Sequence, residues 1–477
     1  MRLRAVYLLA AVASVAAVLV VAGPANATAN WSCGETFATS PGTLDNNLDC
    51  SGYTENALVI TADGVTLNFG GHTVTVDGTA DWDGVYNDGY TGLTVENGTI
   101  NMDTGGTAVE GYGVANDGGL GLTVADMTIN GGYYGVDSYS SSDGTTVEGS
   151  TISGSTDEGI YQRGNGATID GNTISPASGA QGIEATHGLG DVVSNNTVTG
   201  NFDGTDYIDG DIGIHLHLDT AALVEDNTVT TEGSDAMYES WDSGTQVTDN
   251  TFDGNYDGLD INGEIGPNSN ESISGNFIRN SYYEGVYDYE SDMNTYTGNV
   301  LSNNGIECGT SPTDSSCSGF YIDPDDQGSV TMTNNYSRLS SWGYYVEDAY
   351  NDDSYAATRS MFSGNSATYN DYGYYDDYSV LATWSDNTAY GSNDDGFTFD
   401  APNHETITGN SSMHNGGEGF YFEDNAAADN PLSVTNNVGE YNGDYGFYAD
   451  DPLAASSGNT GSNTNGSDDC WFVSGCS

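Results

Sequence analysis

Gly213-Ile214-His215-Leu216-His217-Leu218 is a glycine followed by strict apolar/polar alternation, and this phrase returns about every 25 residues. It reads Gly258-Leu259-Asp260-Ile261-Asn262, then Gly319-Phe320-Tyr321-Ile322-Asp323 and Gly343-Tyr344-Tyr345-Val346-Glu347. Later copies are Gly396-Phe397-Thr398-Phe399-Asp400 and Gly419-Phe420-Tyr421-Phe422-Glu423. Alternation of period two marks a half-buried strand, and a fixed repeat of this length marks a solenoid. Further copies begin at Gly84, Gly113, Gly135, Gly159, Gly182, Gly285, Gly373 and Gly446, with Ala236 standing in once. A second mark, usually asparagine, precedes most of these by eight to ten residues, as at Asn172, Asn227, Asn250, Asn276, Asn335, Asn365, Asn387, Asn410 and Asn437. A recurrent Asn at a fixed offset predicts an amide ladder inside a tight bend, each side chain bonding to the next coil's. The expected fold is all-β: one parallel solenoid of about fifteen coils, stacked about 4.8 Å apart into a rod about 70 Å long.

Composition narrows the function. The chain has 477 residues, 70 Asp+Glu and 6 Lys+Arg, a formal charge of −64. All six basic residues are arginine. Nucleic-acid binding draws its affinity from Lys and Arg on phosphates and is excluded as a partner class. Anionic membranes are opposed for the same reason. An Asp-rich, lysine-free composition suits strong brine, where the screening length is about 3 Å at 1 M salt.

Residues 1–29 read as a secretory signal: Arg2 and Arg4, an apolar run from Ala5 to Val21, then Pro24 and small residues. Residues 30–62 are expected as an N-terminal cap, 63–465 as the solenoid and 466–477 as a C-terminal cap. A secreted, extracellular monomer follows. Six cysteines fall in sequence-local pairs, Cys33/Cys50, Cys308/Cys317 and Cys470/Cys476, and read as disulfides, two of them stapling the ends.

Asp63-Gly64-Val65-Thr66-Leu67-Asn68-Phe69-Gly70-Gly71-His72-Thr73 is similar to a common opening of secreted β-helix proteins. With the two repeat marks, the chain resembles the right-handed parallel β-helix proteins of the pectin-lyase-like superfamily. The resemblance implies the fold and leaves activity open among polysaccharide lyases, hydrolases, uronate epimerases and adhesins. It departs from the family's lyases in lacking lysine. It departs from the family's hydrolases in lacking an adjacent Asp pair set against a Gly-His-Gly phrase.

Alternation sends the first and third residues after each glycine inward and the second and fourth outward. Two zones result. A central one brings together Arg163, Glu184, His215, His217, Tyr238 and Asp260, a catalytic candidate set for acid–base chemistry. Glu184 and Asp260 would lie roughly 14 Å apart, too far for a direct hydrolase pair, which needs at most about 9.5 Å. Lyase or epimerase chemistry is therefore the expected type. A C-terminal zone sets a tyrosine column (Tyr287, Tyr321, Tyr345, Tyr375, Tyr421, Tyr448), a candidate sugar strip, beside a carboxylate column. Asp323, Asp325, Asp326, Glu347 and Asp377 offer oxygens suited to Ca²⁺, the one cofactor expected.

The function expected is binding, with modification, of an extracellular polysaccharide, with inorganic cations as further partners. The rival is a non-catalytic surface or matrix rod used for adhesion. Adjacent carboxylates 4.8 Å apart repel by about 0.9 kcal/mol in water, and salt removes most of this. Molar salt or Ca²⁺ is thus expected to raise the melting temperature. Calorimetry in dilute buffer and in about 2 M NaCl checks it, and an unchanged transition counts against it.

Overall fold

In a computed structural model the chain forms a parallel β-solenoid of about 16 turns, one more than the glycine phrase alone counts. The structure describes residues 28–77, 81–103, 111–139, 142–202, 207–208, 210–263, 268–307, 317–324, 328–347, 359–425, 432–453, 455–462 and 469–476. The glycine phrases stack into one parallel front sheet, from Glu35–Phe37 to Cys470–Trp471. Two parallel ladders close each turn behind it. They meet in the continuous strands Thr94–Asp103 and Thr123–Asn130, and are separated in later turns by a sharp corner, as between Thr168–Asp170 and Thr173–Ser175.

That corner is where the asparagines sit. Asn276 shows the bonding: its backbone N–H and its Nδ2 both donate to Asn299 Oδ1 at 3.0 Å, and Nδ2 also donates to Val247 O at 2.9 Å. Its own Oδ1 accepts from Asn250 N at 2.9 Å and Nδ2 at 3.0 Å. The ladder runs unbroken from Asn172 through Asn196, Asn227 and onward to Asn459. The residue before each rung is left-handed, for example Asn195 (φ 56), Asp249 (φ 55), Gly275 (φ 67) and Asn334 (φ 56). Only Gly, Asn and Asp hold that conformation at little cost, so the corner reads Gly/Asn/Asp-Asn throughout.

The interior follows the alternation. Ile160, Ile183, Ile214 and Leu259 are fully buried. From Phe320 onward the same column turns aromatic: Phe320, Tyr344, Tyr374, Phe397, Phe420 and Phe447 stack with centroids 4.4–5.0 Å apart and rings within 7° of parallel. Residues 30–62, expected as a cap, carry four strands, each stacked in parallel on the strand of the turn that follows it. Trp31 covers the end of the core, 5.4 Å from Phe37 and 5.5 Å from Phe69. Cys33–Cys50 and Cys470–Cys476 are disulfides near the two ends. Cys317 is disulfide-bonded as well, and Cys308 lies outside the described residues.

The third position is less uniformly apolar than its Leu and Ile copies suggest. Glu239, Asp288 and Asp376 also turn inward and are at most 1% exposed. Asp288 is satisfied by Tyr296, whose hydroxyl donates at 2.6 Å. Asp376 instead meets Glu405, itself buried in the core. Two carboxyls in contact bond only through a shared proton, and burial pushes Asp376 up to about 7 and Glu405 well above the usual carboxylate range. Burial, then the charge of Asp242, likewise pushes Glu271, beside Glu239, up to about 8.

Two expectations follow. Asn276→Ala removes two donors and orphans the Asn250 donors in the core, so it should cost roughly 3 kcal/mol or more, measured by denaturant unfolding. Unfolded carboxyls titrate near 4, whereas the interior pairs keep protons to higher pH, so the folded state binds more protons in between. Their stabilising contribution is complete below about pH 4 and is lost as pH rises through 7–8. In molar salt the melting temperature should be lower at about pH 9 than at about pH 5. Glu405→Gln, whose amide donates to Asp376 without a titratable proton, should reduce that loss; an identical loss in the variant would clear the pair of responsibility.

Candidate functional site

The front sheet carries an outward column that alternation alone does not assign. A Cβ on Gly159 would lie 2.5 Å from Gly182 O and 2.6 Å from Ile174 Cγ2, and one on Gly182 would lie 2.4 Å from Val198 Cγ1 and 2.5 Å from Gly213 O. The glycine therefore tucks against the next turn and the core. The residue before it swings onto the face instead of into the interior. Asp83, Tyr112, Tyr134 and Glu158 are delivered this way, beside the second-position residues Tyr86, Asp137, Tyr161 and Glu184.

These residues enclose a cavity of about 380 Å³. It exists because Ala115 occupies a second position whose neighbours on either side are Tyr86 and Asp137. The walls are aromatic: Tyr112, Tyr134 and Tyr161 stack with centroids 5.1 and 5.4 Å apart. The polar groups are acids. Burial raises Asp83 and Asp137 to about 7, and burial with the charges of Asp157 and Glu184 raises Glu158 to about 9. Glu184 is raised to about 7 by burial, although its hydrogen bond with Glu158 pulls the other way. Glu158 and Glu184 can make that bond only by sharing a proton, which leaves Glu158 Oε2 otherwise unpartnered.

Of the expected catalytic residues, Glu184 and His215 do come together. They are paired across adjacent strands, with Nδ1 3.9 Å from Glu184 Oε2. His215 Nδ1 lies 3.1 Å from Gln181 Oε1, an obligate acceptor, which assigns the proton to Nδ1 and leaves Nε2 as a buried, unpartnered base. Burial, and secondarily His217, lowers His215 to about 4, so the ring is neutral. Tyr238 packs on it at 5.2 Å, and His217 turns its Nδ1 to Ser240 Oγ at 2.9 Å.

Two members of the set stand apart. Arg163 lies over the Tyr139 ring at 5.4 Å. Asp260 sits three strands from Glu184, in a separate acid cluster with Asp235, Asp257 and Glu284. The column holding Asp83, Glu158, Asp235, Asp257 and Glu284 was missed because period-two counting through the glycine turns it inward. The one available signal was the recurrence of Asp, Glu or Tyr immediately before the glycine.

The C-terminal tyrosines stack on one another. Tyr287, Tyr321, Tyr345 and Tyr375 follow at 5.1, 5.5 and 5.2 Å, the last two steps only 7° from parallel. Tyr321 and Tyr345 are each only 9% exposed. Their faces are covered by neighbouring rings, which leaves edges rather than a flat strip for a sugar to lie on. Tyr421 and Tyr448 meet edge to face at 5.5 Å. The hydroxyls donate to the fourth-position acids of the next turn: Tyr321 to Glu347 at 2.5 Å, Tyr345 to Asp377 at 3.2 Å and Tyr375 to Asp400 at 3.4 Å. Glu347 and Asp377 are thus held by tyrosines. Asp323 lies in register with Tyr289, and Asp325 and Asp326 fall outside the described residues. Among the described residues no three His, Cys, Asp or Glu side chains converge on a metal position. A larger depression of about 730 Å³ near the N-terminal end is lined chiefly by Thr, Asn and Gly, with Asp126 its one carboxylate.

Residues 111–264 and 313–460 match the family model described as the right handed beta helix region. No curated protein matches the chain. Solved structures similar to it include the Dettilon tailspike protein, 13% identical over 76% of this chain and 60% of that one, with a TM-score of 0.35. Another is a tailspike protein of E. coli bacteriophage HK620 in complex with pentasaccharide, 10% identical over 85% of this chain and 71% of that one, with a TM-score of 0.40. A third is the A-module of an Azotobacter vinelandii mannuronan C-5 epimerase, 12% identical over 89% of this chain and 90% of that one, with a TM-score of 0.31. The chain spans only about three fifths of the Dettilon tailspike chain. With the glycine phrases stacked into one parallel sheet and most of the solenoid covered by that match, the chain belongs to the right-handed β-helix family.

Proposed function

We propose that this is a secreted, salt-adapted β-helix protein that binds extracellular polysaccharide in the tyrosine-walled cavity lined from Asp83 to Glu184 and cleaves it there by acid–base chemistry. One observation carries the reading: Glu158 and Glu184 line the same cavity on adjacent strands, with His215 Nδ1 3.9 Å from Glu184 Oε2. Glu158 keeps its proton to about pH 9 and is the general acid for a glycosidic oxygen. Asp137 and Glu184 occupy the same outward column two strands apart, roughly 10 Å at the backbone. As Glu158 protonates the departing glycosidic oxygen, a carboxylate across the cavity takes a proton from the water that attacks the anomeric carbon, the two-carboxylate scheme of glycoside hydrolases. The lyase or epimerase chemistry expected from the sequence would draw on Arg163, which lies 5.4 Å over the ring of Tyr139, a residue that lines the same cavity.

A second reading, a non-catalytic matrix or adhesion rod, is favoured by the C-terminal face, where the hydroxyls of Tyr321, Tyr345 and Tyr375 are already spent on carboxylates. Polysaccharide binding and reducing-end release in about 2 M NaCl separate the two. Glu158→Gln and Glu184→Gln should each lower turnover at saturating polysaccharide by about 10²-fold or more. Binding without turnover in the parent protein identifies the rod. Undiminished turnover in both variants removes the acid pair from the chemistry.

A further inference from the structure

The cavity's chemistry also selects the sugar, given that it is the glycan site. Asp137 is 8% exposed and its Oδ1 is buried without a hydrogen-bond partner; Glu158 is 6% exposed, and its Oε2 is in the same position. Both side chains line the cavity, so both oxygens call for a donor that the protein does not supply. The other groups facing them are the acids Asp83, Asp117 and Glu184, with Asp157 beside Glu158, and tyrosine hydroxyls that make no hydrogen bond to either oxygen. No lysine exists in the chain, Arg279 is 2.7 Å from Asp253, and Arg163 lies over Tyr139.

We propose that the cavity binds a polysaccharide with free amino groups, the ammonium of one hexosamine unit seated between Asp137 and Glu158 against the tyrosine wall. A uronate would set another carboxylate among these acids. A neutral sugar supplies hydroxyl donors but no charge. An ammonium supplies three donors and the missing positive charge, and its bonds to carboxylates are about twice as strong as neutral ones. Burial holds Asp137 up to about 7, so seating a cation against it should draw its proton into solvent.

The test is isothermal titration calorimetry near pH 7 with hexamers of glucosamine, N-acetylglucosamine and galacturonic acid, in two buffers of different ionisation enthalpy. The expected result is that the glucosamine hexamer binds at least about tenfold tighter than its acetylated form, with net proton release. Asp137→Asn should bring that preference to within about threefold, and Glu158→Gln serves as the second variant should the first fail to fold. Equal or tighter binding of the acetylated or uronate hexamer overturns the ammonium assignment while leaving a sugar site in place. Binding of none of the three by a correctly folded protein overturns both the assignment and the glycan-site reading beneath it.

Discussion

A buried side-chain amide that bonds to the amide one turn on is the constraint on which this molecule depends. From Asn172 to Asn459 each ladder Asn satisfies a backbone N–H of the preceding turn and two acceptors of its own, at a corner whose polar groups are sealed from water. Without it, every turn would leave orphaned donors in the interior, each costing about 1–3 kcal/mol. The ladder also fixes register. A turn displaced by one residue would bury its outward face and break the amide contact. With register fixed, residues more than 20 positions apart become neighbours at strand spacing, which turns a repeat into columns.

The functional face depends on a second constraint, the close approach of the glycine to the next turn's carbonyl. A methyl group at that position would meet backbone at about 2.5 Å, as at Gly159 and Gly182. The kink this permits adds an outward column to the two that alternation supplies. It sets Glu158 beside Glu184 and Asp83 beside Tyr86. Ala236, in the same position, shows that the approach can be relaxed locally, between the two acid clusters.

The two halves of the rod solve the same acidity differently. In the C-terminal half the fourth-position carboxylates Glu347, Asp377 and Asp400 each receive a tyrosine hydroxyl, and the rings shield one another by stacking. In the N-terminal half the acids face one another around a gap and are held partly protonated by burial. The first arrangement is self-satisfied and resembles a structural surface. The second leaves oxygens waiting for a donor, as expected of a place that meets a ligand.

From sequence, the solenoid, its period, the amide ladder and the adjacency of Glu184 with His215 were all legible, because period-two alternation and a fixed repeat convert directly into stacked strands. The cavity was not. Its acid wall depends on which way a residue turns when the following glycine packs against the next coil, and its volume on Ala115 lying between two larger neighbours, relations that exist only after coils stack. The interior Asp376–Glu405 pair was hidden for the same reason. The chain determined by itself that there would be a ribbon of columns; the tertiary structure decided which carboxyls share a proton, which are spent on tyrosines and which face an open space, since those depend on contacts between turns and not on the order of residues within one.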